Sequence, residues 1–186
     1  LSSPSRASIL TGMYSHSHKV VDNSAPMPAG LTFFPEYLQQ VGYQTGFFGK
    51  WHMGNDTGDP QPGFNHWESF SGQGEYYNPR LNVNGKWIRY ADSTYVTDLL
   101  TTHAIEFMKQ QQTSHKPFMV YLSHKGVHDN FSPAKRHKGC YSGKPLVIPP
   151  SFDTSKEKIK ALPTIDPSTG KAAAGKEYYG ENMLPD

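Results

Sequence analysis

Three short stretches of this sequence carry hydroxyl, cationic and imidazole side chains at spacings suited to binding an anion and moving a proton. The first is Ser2-Ser3-Pro4-Ser5-Arg6. Ser3 is a good helix N-cap, and Pro4 suits the first helical position, where an N–H would lack a partner anyway. Gly12 can take the left-handed conformation that closes such a helix. The spacing therefore predicts a short helix whose N–H groups and dipole face the surroundings of Ser2 and favour an anion there. Arg6, one turn in, brings a forked positive charge to the same place. A serine hydroxyl is a weak nucleophile at its ordinary pKa, so Ser2 must be activated before it can attack anything.

The second stretch, Gly49-Lys50-Trp51-His52-Met53-Gly54, follows Tyr43–Phe48, which reads as a strand. If extension persists to residue 52, Lys50 and His52 project to one side. They stand at the C-terminal end of a buried strand, where ligands bind in open α/β sheets. The third, Ser123-His124-Lys125-Gly126-Val127-His128, follows the apolar run Phe118–Leu122. That run has the look of a strand covered on both faces. Two strands then deliver Lys/His pairs to one edge of one sheet, as a fixed charge and a proton donor.

Helices and hairpins must hold these strands. Thr32 is the expected N-cap of a helix that admits Pro35 in its first turn, with Phe34, Leu38 and Val41 on one face and Gly42 closing it. Residues 55–92 are loop-rich, with short strands expected near 64–70 and 86–90 and a hairpin turn at Asn84-Gly85. Trp67, Tyr76, Tyr77 and Trp87 are read as core rather than as the lining of a sugar site, since aromatic rings dominate core packing. Ser93 or Thr94 should cap the clearest helix, in which Val96, Leu99, Leu100, His103, Ala104, Phe107 and Met108 keep helical spacing. His103 on that apolar face is expected to be structural, and the glutamines at 110–112 should fray the end. His16 and His18, with no cysteine or carboxylate beside them, are weak metal ligands and fit a solvated or substrate-facing loop better. Residues 145–150 read as extended, and 161–180 as a mobile segment.

The composition narrows the classes. The 186 residues make one domain's worth of chain, and 18 Lys and Arg against 16 Asp and Glu leave a net charge of +2. Neither a nucleic-acid partner nor a membrane surface follows from that balance. The one cysteine, Cys140, precludes an intrachain disulfide. The longest apolar run is far too short to span a bilayer.

The string Ser2-x-Pro4-Ser5-Arg6, then four residues, then Thr11-Gly12, resembles the signature of the type I sulfatases. The Gly49–Gly54 string resembles that family's second signature, and the likeness runs from Ser2 to about Pro150. Details around 123–128 and Arg136-His137-Lys138-Gly139 look most like bacterial sulfatases of sulfated glycans, the N-acetylglucosamine-6-sulfate type included. The resemblance implies an α/β fold, part of an alkaline-phosphatase-like three-layer α/β/α sandwich with a mainly parallel sheet. Residues 1–150 would be a partial catalytic domain and 151–186 an irregular segment of it. By the same resemblance, a maturase oxidises Ser2 to formylglycine, whose hydrate attacks the sulfate ester of a sulfated carbohydrate or an aryl sulfate. Catalysis would fall to Ser2, Arg6, Lys50, His52 and His128, with His128 a sulfate ligand and candidate acid for the leaving group. Lys50, His128, His124 and Lys125 would bind substrate. The family also uses calcium. Of its ligands only Ser2, as formylglycine, is recognisable, because Asp129-Asn130 is followed by Phe131 where the family's pair is followed by glycine. This chain alone is therefore expected not to turn over. A periplasmic or secreted location follows from the same likeness. Two rival readings stay open: a phosphomonoesterase or phosphodiesterase of the same superfamily using unmodified Ser2, and a non-catalytic anion- or glycan-binding relic.

Overall fold

The computed structural model describes residues 1–145 and the backbone of the short antiparallel pair formed by residues 164–165 and 172–173. Residues 1–138 form one compact unit and residues 139–186 a second. The expectations for residues 146–150 and for most of 161–180 lie outside the described residues.

The first unit is built on a five-stranded sheet in the order β4-β3-β2-β1-β5. Its strands are β1 (Gln44–Lys50), β2 (His66–Phe70), β3 (Arg80–Val83), β4 (Lys86–Arg89) and β5 (Phe118–Ser123). β1 runs parallel to both neighbours, β2 and β5, while β3 and β4 pair antiparallel at the far side. The helices are α1 (Ser2–Thr11), α2 (Ser15–His18), α3 (Phe34–Gln40) and α4 (Val96–Ser114).

β1 is the axis of the unit, and its sequence explains why. Thr45 to Lys50 are all buried, and consecutive side chains face opposite sides of a strand. Phe47 joins a core with Ala7 and Leu10 of α1, Val20, Phe33, Trp51 and Trp67. Phe48 joins the opposite core with Phe70, Leu81 and the α4 residues Val96, Leu100, Ala104 and Phe107. Helices thus cover both faces of the sheet. Each fully buried phenylalanine contributes about 1.5–3 kcal/mol. Truncating Phe47, which stacks on Trp67 at 4.5 Å and on Tyr121 at 5.4 Å, would cost about 3–5 kcal/mol.

Gly49 fixes how closely β5 approaches. Its φ is +117°, and a Cβ there would sit 1.9 Å from the Ser123 carbonyl oxygen. Only glycine lets the ends of β1 and β5 meet this tightly.

Several local expectations are corrected. α1 starts two residues early, at Ser2 after Leu1, so Ser3 is not its cap. Gly12 does close it, at φ +68°. Phe33, not Thr32, precedes α3, and the buried residues there are Phe33 and Pro35, while Val41 lies exposed beyond the helix end. Tyr95 precedes α4, with no side-chain cap from Ser93 or Thr94, and the helix runs through the glutamines to Ser114. Among the described residues β5 lies at the sheet edge and is only partly buried, in place of the strand covered on both faces that its apolar run predicts. The hairpin turn at Asn84-Gly85 is present, both residues having positive φ, as a two-residue turn between twisted strands requires.

Candidate active site

The C-terminal ends of β1 and β5 and the N-terminus of α1 converge. Arg6 is the hub. Its Nε donates to Ser2 Oγ at 3.0 Å, and its Nη1 donates to the Lys50 carbonyl and to Ser123 Oγ at 2.6 Å. Ser123 Oγ in turn donates to the Lys50 carbonyl at 3.0 Å. One guanidinium therefore ties the first turn of α1 to the ends of both strands. Burial lowers its pKa from the ordinary arginine value, which is high enough that it stays charged. Among the described residues, the hydrogen bond recorded at Ser2 Oγ comes from this donor, and no imidazole or carboxylate accepts the hydroxyl proton.

Ser3 has a different task from the one expected of it. Its Oγ donates to the His52 carbonyl at 2.5 Å, and its N–H donates to Asn23 Oδ1 at 3.0 Å. One N–H at this helix start is thus already taken. The bond to His52 holds a residue whose φ is +54°, a left-handed conformation costing about 1–2 kcal/mol in a residue with a Cβ. Extension therefore stops at Lys50 and does not persist to 52.

Lys50 and His52 nevertheless share one partner, which sequence reasoning missed. Gln73, in the loop after β2, accepts from Lys50 Nζ through Oε1 and donates to His52 Nε2 at 2.9 Å. With Nε2 accepting, the proton of neutral His52 sits on Nδ1, which is buried and has no protein partner. Burial first, then Lys50 and Arg6, lower the His52 pKa to about 4, so the ring is neutral near pH 7. Burial, then Arg6 and Lys125, bring Lys50 down to about 8. Asp56 Oδ2 lies 3.9 Å from His52 Nε2, and burial raises this carboxyl to about 6. No periodicity or motif marks Gln73. It reaches the site because the β2–β3 loop folds over the sheet edge.

The segment after β5 supplies the far wall. Lys125 is buried, donates to the Asp129 carbonyl at 3.0 Å and lies 4.7 Å over the Tyr76 ring. Tyr76 Oη donates to the His128 carbonyl. His128 is exposed and pairs with Asp129 at 2.5 Å through Nδ1. It is near enough to help depress His52. The His124 ring is half-buried with Nδ1 unpartnered, and burial lowers its pKa. Ser2, Arg6, Lys50 and His52 thus form the inner group, and His124, Lys125 and His128 flank it. His18, expected on a solvated loop, is fully buried between Ser8 Oγ and the Val20 N–H.

The described residues contain no group of three or more His, Cys, Asp or Glu side chains arranged to hold a cation. They do not by themselves fit a calcium site.

A family model described as Sulfatase matches residues 1–147. An N-acetylglucosamine-6-O-sulfatase of Bacteroides thetaiotaomicron is 40% identical over 165 residues, covering 87% of this chain and 28% of the relative. An extracellular sulfatase SULF-1 homolog of Drosophila melanogaster is 30% identical over 162 residues, covering 81% of this chain and 14% of that protein. A solved structure of a protein in complex with its substrate D-glucosamine-2-N,6-O-disulfate superposes with a TM-score of 0.71 at 40% identity, over 81% of this chain and 30% of that one. The sulfatase yidJ structure from Bacteroides fragilis, 20% identical, shares the fold at a TM-score of 0.66, over 88% of this chain and 41% of that one. The architecture is that of the alkaline-phosphatase-like α/β proteins, and the chain spans less than a third of the two curated relatives named here. With its signature strings at the ends of α1 and β1 and a family match over most of its length, this chain belongs to the sulfatase family.

Proposed function

We propose that the protein hydrolyses sulfate esters on a sulfated carbohydrate, with Ser2 as the residue that becomes the nucleophile. The observation that carries this reading is the placement of Ser2 Oγ against Arg6 with Lys50 and His52 gathered beside that arginine. Arginine is a donor and cannot take a proton, so nothing in the described site activates an unmodified serine. Oxidised to formylglycine, Ser2 supplies a hydrated aldehyde, one hydroxyl attacking sulfur while the other, on losing its proton, drives release of sulfate. Arg6 and Lys50 set fixed positive charge where the sulfate oxygens lie. His52, neutral near pH 7, can accept a proton, and His128 is the donor to the departing alcohol. His124 and Lys125 border the same space on the substrate side.

A sulfated glycan substrate is supported by the relatives' names and by the D-glucosamine-2-N,6-O-disulfate bound in the neighbouring structure. We assign residues 1–150 to the catalytic domain and expect a serine-type maturase as a partner. Activity outside the cytoplasm, periplasmic or secreted, fits a relative named as an extracellular sulfatase. Among the described residues no helix is long and apolar enough to cross a membrane.

The test has two arms. The full-length protein is made alongside a serine-type maturase, and the Ser2 peptide is examined by mass spectrometry for the loss of two hydrogens. Sulfate release from 6-O-sulfated N-acetylglucosamine is then followed, with residues 1–186 alone as the comparison, expected to be inactive. An active enzyme whose Ser2 is unmodified would sink the mechanism.

A further inference from the structure

The β3–β4 hairpin carries a charge arrangement that folding alone does not favour. Arg80 and Arg89 are directly opposite one another in the antiparallel register. Like charges facing each other across a strand pair are destabilising. Arg89 is compensated, donating to Glu75 Oε2 at 2.5 Å and to the Asn78 carbonyl at 2.8 Å. Arg80 has no carboxylate partner among the described ion pairs; its guanidinium lies 4.8 Å over the Trp87 ring.

Trp87 is the second unusual feature. Aromatic residues here were expected to be core, and Trp51 and Trp67 are, at 3% and 1% exposed. Trp87 is 37% exposed and lines an open cleft of about 510 Å³ with Arg80, Arg89, Phe70, Ser71 and Glu75, whose carboxylate is engaged by Arg89. Its position is fixed from below. A Cβ on Gly58 would sit 3.1 Å from the indole edge and 2.9 Å from the Phe70 backbone, so the ring rests on bare backbone. The cleft therefore offers a held aromatic surface beside a cation with no anionic partner, an arrangement that suits a sugar ring carrying a negative group.

Its place in the sheet relates it to the reactive group. Lys50 pairs with Phe70 across β1 and β2, and β3 and β4 follow beyond β2, away from β1. Arg80 and Arg89 start and end their strands at this same edge of the sheet. From β1 to β4 is three strand spacings, about 14 Å. The loop that forms one wall of the cleft, through Ser71 and Gly74, also carries Gln73, the partner of Lys50 and His52.

We propose that this cleft is a second glycan subsite, which binds an anionic sugar unit of a polymeric substrate while another unit occupies the space beside Ser2. The proposal rests on the sulfated-glycan reading above. Trp87, one face of which carries the Arg80 guanidinium, supplies aromatic contact area, Arg80 the charge, and Arg89, already held by Glu75, the second donor of the pocket.

Trp51 and Trp67 are buried, so the part of the acrylamide quenching that is lost in Trp87→Phe reports on Trp87. Acrylamide quenching is measured with and without a heparin tetrasaccharide and its chemically desulfated counterpart, and affinities are taken by calorimetry. The sulfated tetrasaccharide should shield Trp87 and the desulfated one should not. Arg80→Gln should weaken binding about tenfold, as loss of a charge-assisted hydrogen bond does, and Trp87→Ala should weaken it as well. Lys86→Gln removes the same charge on the hairpin's other face and should leave affinity unchanged. Equal quenching with and without the sulfated tetrasaccharide overturns the subsite, as does wild-type affinity in both Arg80→Gln and Trp87→Ala. Absent hydrolysis with Trp87 still shielded would instead sink the activity reading and leave the subsite standing.

Discussion

Arg6 Nη1 lies 2.6 Å from Ser123 Oγ, a contact between residues 117 positions apart. It joins the first turn of α1 to the end of β5 at the point where Gly49 lets β1 and the edge strand β5 close.

That contact makes Arg6 both a charge and a clamp. Arg6→Lys keeps the charge and loses the fork that reaches Ser2, Lys50 and Ser123 together. We expect turnover in the full-length protein to fall by about a hundredfold or more, with Arg6→Ala worse still. Ser123→Ala should cost less, since the Lys50 carbonyl keeps its bond from Arg6. Steady-state kinetics decide this, and equal activity in Arg6→Lys would remove Arg6 from the site.

Lys50→Ala, His52→Ala and His128→Ala should each reduce turnover by about a hundredfold or more, through loss of a proton-transfer group or of charge stabilisation. Because His128 is exposed while Lys50 is buried, the His128 variant should keep wild-type stability. Normal turnover in two of the three would mean that the site lies elsewhere.

Gln73→Glu places a carboxylate against Lys50 Nζ and His52 Nε2. An anion favours the charged form of both, so both pKa values rise. His52 should move up from about 4 by about one to three pH units, and Lys50 upward from about 8. The His52 ring signal followed by NMR against pH measures this directly. An unmoved midpoint would show that Gln73 does not hold the ring.

On β2, buried Glu68 joins two histidines, His103 at 2.6 Å and His66 at 2.8 Å. Burial opposes its ionisation, but the hydrogen bonds from both rings prevail and hold its pKa below the usual carboxylate range. Its contribution is therefore present above the unfolded carboxylate pKa and is lost as pH falls through the lower folded value. The hydrogen bond to Glu68 raises His103, so that contribution is present below the unfolded imidazole pKa and is lost as pH rises through the higher folded value. Both are complete between about pH 4.3 and 6.5, and stability should fall on either side. Glu68→Gln should flatten the profile, and His103→Ala should cost about 3 kcal/mol by leaving a buried carboxylate half-paired. Urea titrations across pH are the measurement. A wild-type profile unchanged in Glu68→Gln would show that the cluster is not what titrates.

The sequence by itself determined the strands that carry the chemistry, their order of appearance and the side chains at their ends. Lys50, His52 and the 123–128 segment were legible because strand ends and glycine punctuation are local properties, fixed by propensity and spacing. The strings at Ser2 and Gly49 were legible as a resemblance to the sulfatase signatures. What the tertiary structure decided is everything that depends on which segments meet. Ser3 reads as a cap and is instead the anchor of His52, since a hydroxyl takes whichever acceptor folding brings to it. Gln73 has no pattern around it and becomes the shared partner of Lys50 and His52 only because a loop closes over the sheet. His18 moves from loop to core, and Trp87 from core to an open cleft. Periodicity says that a ring is apolar and where it lies along an element, while burial depends on what covers that element, and this is a property of contacts distant in the chain.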